Sequence, residues 1–103
     1  MLNISEIDGT MLVNLEGEID HHITSKIRIE IDDAVREIKP QKLILDFSTI
    51  TFMDSSGIGL VAGRFKTMRE LGGSVELIGV SKHIAKVMSL SGIDKLATVT
   101  PAE

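Results

Sequence analysis

Two short runs of alternating apolar and polar residues open the chain, Ile4 to Ile7 and Met11 to Leu15, with Asp8-Gly9 between them. Asp-Gly in that position predicts a β-hairpin. Further on, Ile23, Ile27, Ile31, Ala34, Val35 and Ile38 keep helical spacing, although Ile27, Ile29 and Ile31 alone alternate like a strand. The length of the pattern decides for a helix, capped by Thr24 or Ser25 and stopped before Pro40. Ile29 then lies off the stripe. The nearly continuous apolar run from Lys42 to Phe47 predicts a strand buried on both faces.

Ser48 to Asp54 reads as a connection and Ser56 to Leu71 as a second helix. Its stripe is Ile58, Val61, Ala62, Phe65, Met68 and Leu71, with Gly72-Gly73 closing it. Val75 to Val80 predicts another strand. Ser81 caps a third helix running through Leu90, with Ile84, Val87 and Met88 inward and Gly92 as a left-handed stop. Leu96 to Val99 reads as a last strand. The whole is an α/β chain with a mixed central sheet opened by a hairpin and packed with helices. Working loops of such sheets lie at the carboxyl ends of parallel strands, and the segment between Phe47 and Ser56 is such a loop.

Composition narrows the functions. At 103 residues there is room for a single domain, residues 1–103. No Cys is present, so disulfides and thiol chemistry are excluded. The N-terminus MLNISEIDGT has no basic stretch followed by an apolar one, and no run approaches a membrane span of about 18 apolar residues. A cytoplasmic location is expected. Eleven basic residues against fifteen acidic ones give a charge of −4, the basic ones are scattered, and three Phe are the only aromatics. Direct nucleic-acid binding is not expected from such a surface.

The chemistry concentrates in Met53-Asp54-Ser55-Ser56-Gly57-Ile58-Gly59. Ser56 is placed to cap the second helix, and Ser55 projects from the loop one residue earlier. A phosphoryl group on Ser55 would sit at the positive end of the helix dipole and bring about two negative charges beside Asp54. Gly57, Gly59 and Gly63 each weaken a helix by roughly 1 kcal/mol relative to Ala, a choice that suits close approach of a sheet, a partner or a phosphate. On spacing alone, Ser-Ser-Gly before a helix is more often a cap and turn than a regulated site.

Other motifs carry less. Gly57-x-Gly59-x-x-Ala62 partly matches a dinucleotide fingerprint but stands far from the strand end at Phe47. A hydrolase elbow fails because Met53 occupies its first glycine position. His21-His22 are adjacent, point apart and lack a third ligand at metal spacing, so no metal or other cofactor is expected. His83 falls on the solvated first turn of the third helix. Asp20 reads as a turn or cap residue.

Phe52-Met53-Asp54-Ser55-Ser56-Gly57-Ile58-Gly59 resembles the signature of STAS domains, in particular bacterial anti-sigma factor antagonists. Gly17-Glu18-Ile19-Asp20-His21-His22 is similar to the N-terminal motif of the sporulation branch of that family. Arg64-Phe65-Lys66 running to Gly72-Gly73, then Ser91-Gly92-Ile93, complete the pattern. The resemblance implies that Ser55 is a phosphoacceptor, that Asp20 lies on the partner surface near it, and that Asp54, Ser56, Gly57, Ile58 and Gly59 share that surface. It implies a cycle. The unphosphorylated protein binds an anti-sigma factor that is also an ATP-dependent serine kinase, and sigma factor is released. The kinase then phosphorylates Ser55, and a PP2C-type phosphatase resets the switch. The chain would be substrate and ligand, not an enzyme. Two other readings stand beside it: a STAS scaffold or sensor subunit, and a nucleotide-binding module at Gly57. Family members usually continue into a C-terminal helix, whereas this sequence stops at Glu103.

Overall fold

A computed structural model describes residues 2–102. Leu2–Ile7 (β1) and Thr10–Ile19 (β2) form the expected hairpin, with both Asp8 and Gly9 at positive φ as a two-residue turn demands. There follow Thr24–Ile38 (α1), Lys42–Met53 (β3), Ser55–Glu70 (α2), Ser74–Val80 (β4), Lys82–Ser91 (α3) and Thr98–Pro101 (β5). The five strands lie side by side in chain order, β1 antiparallel to β2 and every other pair parallel. The mixed α/β architecture is thus as the sequence implies.

The core is built from one parity of strand residues. Met11, Val13 and Leu15 of β2, Leu43, Leu45 and Phe47 of β3, and Val75 and Leu77 of β4 are all buried. They join Ile27, Ile31 and Val35 of α1, Leu60, Val61 and Met68 of α2, and Ile84 and Met88 of α3 in one cluster. The opposite parity, including Leu12, Ile44 and Ile78, is only half-buried. This corrects the expectation that Lys42 to Phe47 is buried on both faces: the run is continuous in hydropathy but alternates in burial.

Helix spacing wins in α1, leaving Ile29 half exposed. Neither Thr24 nor Ser25 caps it. Ile23 stands at the cap position with no side-chain bond. Instead the Asp20 carbonyl accepts from the backbone N–H groups of Ile23 and Thr24 and closes the entry turn. Ser81 does cap α3, accepting from Ile84 N at 3.3 Å, and Gly92 ends it in the left-handed region. The last strand begins two residues later than expected, at Thr98, because Ile93–Lys95 form a short 3-10 turn and Ala97 is buried.

Two corrections fall on the region that matters most. Ser48 to Asp54 is not a connection. All of it but Asp54 belongs to β3, which outruns β4 after the Asp46–Ile78 pair and continues against β2 alone. The α2 core stripe is also rotated. Leu60 and Arg64 are buried, Ile58, Ala62 and Phe65 only partly so, and Leu71 is exposed. Arg64 can turn inward because Asp32 of α1 meets it, Nε to Oδ1 at 2.9 Å.

Candidate functional site

Parallel pairing brings the two motifs together. Ile19, the last residue of β2, pairs with Met53, the last of β3. Asp20 and Asp54 therefore follow the ends of neighbouring strands, and Asp54 N donates to Ile19 O at 3.1 Å. This alignment depends on two register shifts in the β2–β3 ladder, between Asn14 and Glu16 and between Gly17 and Glu18. Gly17 has φ +84 and no heavy atom within 4 Å of where a Cβ would be, so backbone conformation and not space selects glycine there.

Asp54, not Ser56, caps α2. Its Oδ1 accepts from Ser56 N at 2.9 Å and also takes the Ser56 hydroxyl, while its Oδ2 accepts from His21 N at 3.2 Å. One carboxylate thus fastens the α2 N-terminus to the turn after β2. Asp20 holds that turn from within, its Oδ1 accepting from His22 N at 2.9 Å and Ile23 N at 3.3 Å. Ser56 is consequently half-buried with its hydroxyl engaged. Ser55 is the first residue of α2, exposed, and no hydrogen bond engages its hydroxyl among the described residues.

Hydrogen bonds from the Ser56 side chain and backbone hold the Asp54 carboxyl below its ordinary value, desolvation opposes them, and the His21 contacts assist. The folded state therefore favours the carboxylate. Its contribution is full above the unfolded value of about 4 and is lost as pH falls through the lower folded value. Acid titration of the wild type should release the cap and the His21 N–H together. In Asp54→Asn, whose amide still accepts from the helix, amide exchange at Ser56 should be flat over the same range.

The glycines divide by cause. A Cβ on Gly57 would run into the Met53 side chain and touch Ile19, so this residue is bare because the end of β3 packs on it. Since β3 reaches Met53, the distance argument against a dinucleotide fingerprint falls. The packing of Met53 onto Gly57 now stands against it. Gly59 and Gly63 have nothing within 4 Å of a Cβ and are not required by the fold.

Beside Ser55 runs a shallow groove of about 460 Å³ lined by Met53, Asp54, Ser55, Ile58, Val87, Leu90 and Ser91. Leu90, at its rim, is 80% exposed, and Phe52 nearby on β3 is 49% exposed. Sequence reasoning missed both. Leu90 stands off the buried Ile84–Met88 stripe, which was the available signal. His21 and His22 are exposed, but their rings lie 4.0 Å apart and do not diverge as expected. His21 Nδ1 is 3.6 Å from Asp54, and neither imidazole hydrogen-bonds to Ser55 among the described residues. His83 is exposed in the first turn of α3.

An exposed serine thus opens α2 beside an apolar groove, at the locked ends of β2 and β3. The chain belongs to the STAS domain family, whose profile matches residues 1–103. It is similar to the anti-sigma F factor antagonist of Lysinibacillus sphaericus, 36% identical over 84 residues, covering 82% of this chain and 72% of that protein. The anti-sigma F factor antagonist of Paenibacillus polymyxa is 31% identical over 91 residues, covering 88% of this chain and 78% of that protein. The solved structure of the anti-sigma factor antagonist SpoIIAA in its unphosphorylated form superposes with a TM-score of 0.84 at 31% identity, over 96% of this chain and 87% of that one. Its phosphorylated form, from Bacillus, gives 0.77 at 31% identity over 96% and 90%. No helix among the described residues is long and apolar enough to cross a membrane.

Proposed function

We propose that this chain is an anti-sigma factor antagonist, a regulator whose binding to an anti-sigma factor is switched off by phosphorylation of Ser55. The observation that carries the assignment to this serine is the unequal treatment of the pair: Ser56 gives its hydroxyl to Asp54, whereas Ser55 is exposed and its hydroxyl unengaged. The similarity to a protein solved in both unphosphorylated and phosphorylated forms supports a switch of this kind.

The partner surface comprises Asp20, Asp54, Ser55, Ile58 and Gly59, extended by Val87 and Leu90 across the groove. Gly57 and Ser56 support it from beneath. An anti-sigma factor with ATP-dependent serine kinase activity binds the free hydroxyl form, releases sigma factor, and transfers a phosphoryl group to Ser55. The phosphate adds about two negative charges beside Asp54 and Asp20, and the complex separates by repulsion and desolvation. A PP2C-type phosphatase restores the hydroxyl.

Incubation with the cognate kinase and ATP should add one phosphate, located by mass spectrometry on Ser55. Ser55→Ala should remain unmodified and stay bound to the kinase in the presence of ATP. Phosphate placed chiefly on Ser56 would overturn the assignment.

A further inference from the structure

Adding a dianion beside two carboxylates raises the question of which cation answers it. Among the described residues, the only groups of positive type within ion-pair reach of Asp54 and Asp20 are imidazoles, His21 at 3.6 Å from Asp54 and His22 at 3.7 Å from Asp20. Among the described residues no Lys or Arg pairs with either carboxylate. The first two turns of α1 bring Lys26 and Arg28 to the neighbourhood. Lys26 lines a groove with Leu2, Ile23, Ile27 and Glu30, and Arg28 lines one with Ser56, Gly59 and Leu60. Ser55 opens into the groove it shares with Asp54, Ile58, Val87 and Leu90, where α3 adds the exposed Lys82, His83 and Lys86, none of them paired with Asp54 or Asp20 among the described residues. The backbone N–H of His21 is tied to Asp54, the residue that precedes the phosphoacceptor.

We infer that His21 is the reader of a phosphate on Ser55: its imidazole takes a proton from solvent when the phosphate is present and pairs with it beside Asp54. The inference rests on Ser55 being the phosphoacceptor. The ring is exposed, and the His22 ring, tilted by 37° with its centroid 4.0 Å away, shares the field of the phosphate. An opposite charge within about 4–6 Å favours the protonated imidazole. The pairing is therefore lost as pH rises through the raised histidine value, and it weakens as pH falls through the second ionisation of the phosphate, about 6. The off-state of the switch thereby acquires a pH dependence near neutrality.

The test uses full-length protein carrying phosphoserine installed at position 55 by codon suppression, so it does not depend on the kinase. Imidazole nitrogen and phosphorus resonances are followed from pH 5 to 9, against unmodified protein. The His21 midpoint should rise by about one pH unit in the phosphoprotein, His22 by less, and His83 not at all. The phosphorus midpoint should lie below that of free phosphoserine, near 6, and return to it in His21→Gln. An unmoved His21 midpoint, or a phosphorus midpoint that responds to Arg28→Gln or Lys86→Gln and not to His21→Gln, overturns the inference. Kinase-treated protein with its phosphate elsewhere than Ser55 would overturn the functional reading separately.

Discussion

Asp32→Ala should lose about 3–5 kcal/mol of stability, the largest effect of any single substitution away from the hydrophobic core. Arg64 is 5% exposed and its Nε lies 2.9 Å from Asp32 Oδ1, a charge pair without hydrogen-bond alignment, while its Nη1 is buried with no hydrogen-bond partner among the described residues. Burial pulls the Arg64 guanidinium below its ordinary value and Asp32 opposes that pull. Removing the carboxylate leaves a charged group buried and uncompensated. A domain of this size is stable by only about 5–15 kcal/mol, so the loss should be plain in urea unfolding as a lower midpoint with an unchanged slope. Replacing both partners, Asp32→Ala with Arg64→Met, should recover much of it, since apolar side chains can substitute for a buried pair. Wild-type stability in Asp32→Ala alone would mean that water reaches Arg64.

The second large effect is on binding. Leu90→Asp should abolish measurable association with the anti-sigma factor, and Leu90→Ala should weaken it by about thirtyfold, a loss of about 2 kcal/mol. An 80% exposed leucine at the rim of the Ser55 groove contributes little to folding, so both variants should melt like the wild type. Asp20→Ala makes the contrast. Its carboxylate accepts two backbone N–H groups in the turn before α1, so it should lose affinity and melting temperature together. Calorimetric titration beside melting curves separates the two. Full affinity in Leu90→Ala would move the docking surface away from α3.

What could be read beforehand was whatever depends on neighbours in sequence. Asp8-Gly9 declares its turn because only positive φ closes a two-residue loop. Ser81 and Gly92 bracket α3 for equally local reasons. The resemblance placed Asp20 and Ser55 on one surface, and the pairing of Ile19 with Met53 brings their loops side by side. What stayed hidden depends on distant partners. The second half of β3 contains Ser48, Thr49 and Thr51, polar enough to pass for a loop, and is a strand because β2 continues beside it. Arg64 looks like a surface residue until Asp32 of another helix is set against it. The cap went to Asp54 because that residue, leaving β3, is already in the extended conformation a cap needs, while Ser56 lies inside the helix.

The two register shifts between β2 and β3 turn the spacing of the motifs into something counted. A residue deleted between Phe47 and Met53 would leave both Asp20 and Asp54 in the sequence, yet draw one strand end short of the other. It would also turn the alternation of faces over, because strand side chains repeat every second residue. One shift alone would have done the same. Two restore the parity, so that Ile19 points into the core while Asp54 still reaches His21. Among chains built this way, the number of residues by which β3 exceeds β2 along the ladder should therefore vary in steps of two more readily than in steps of one, whatever the length of the helix between them.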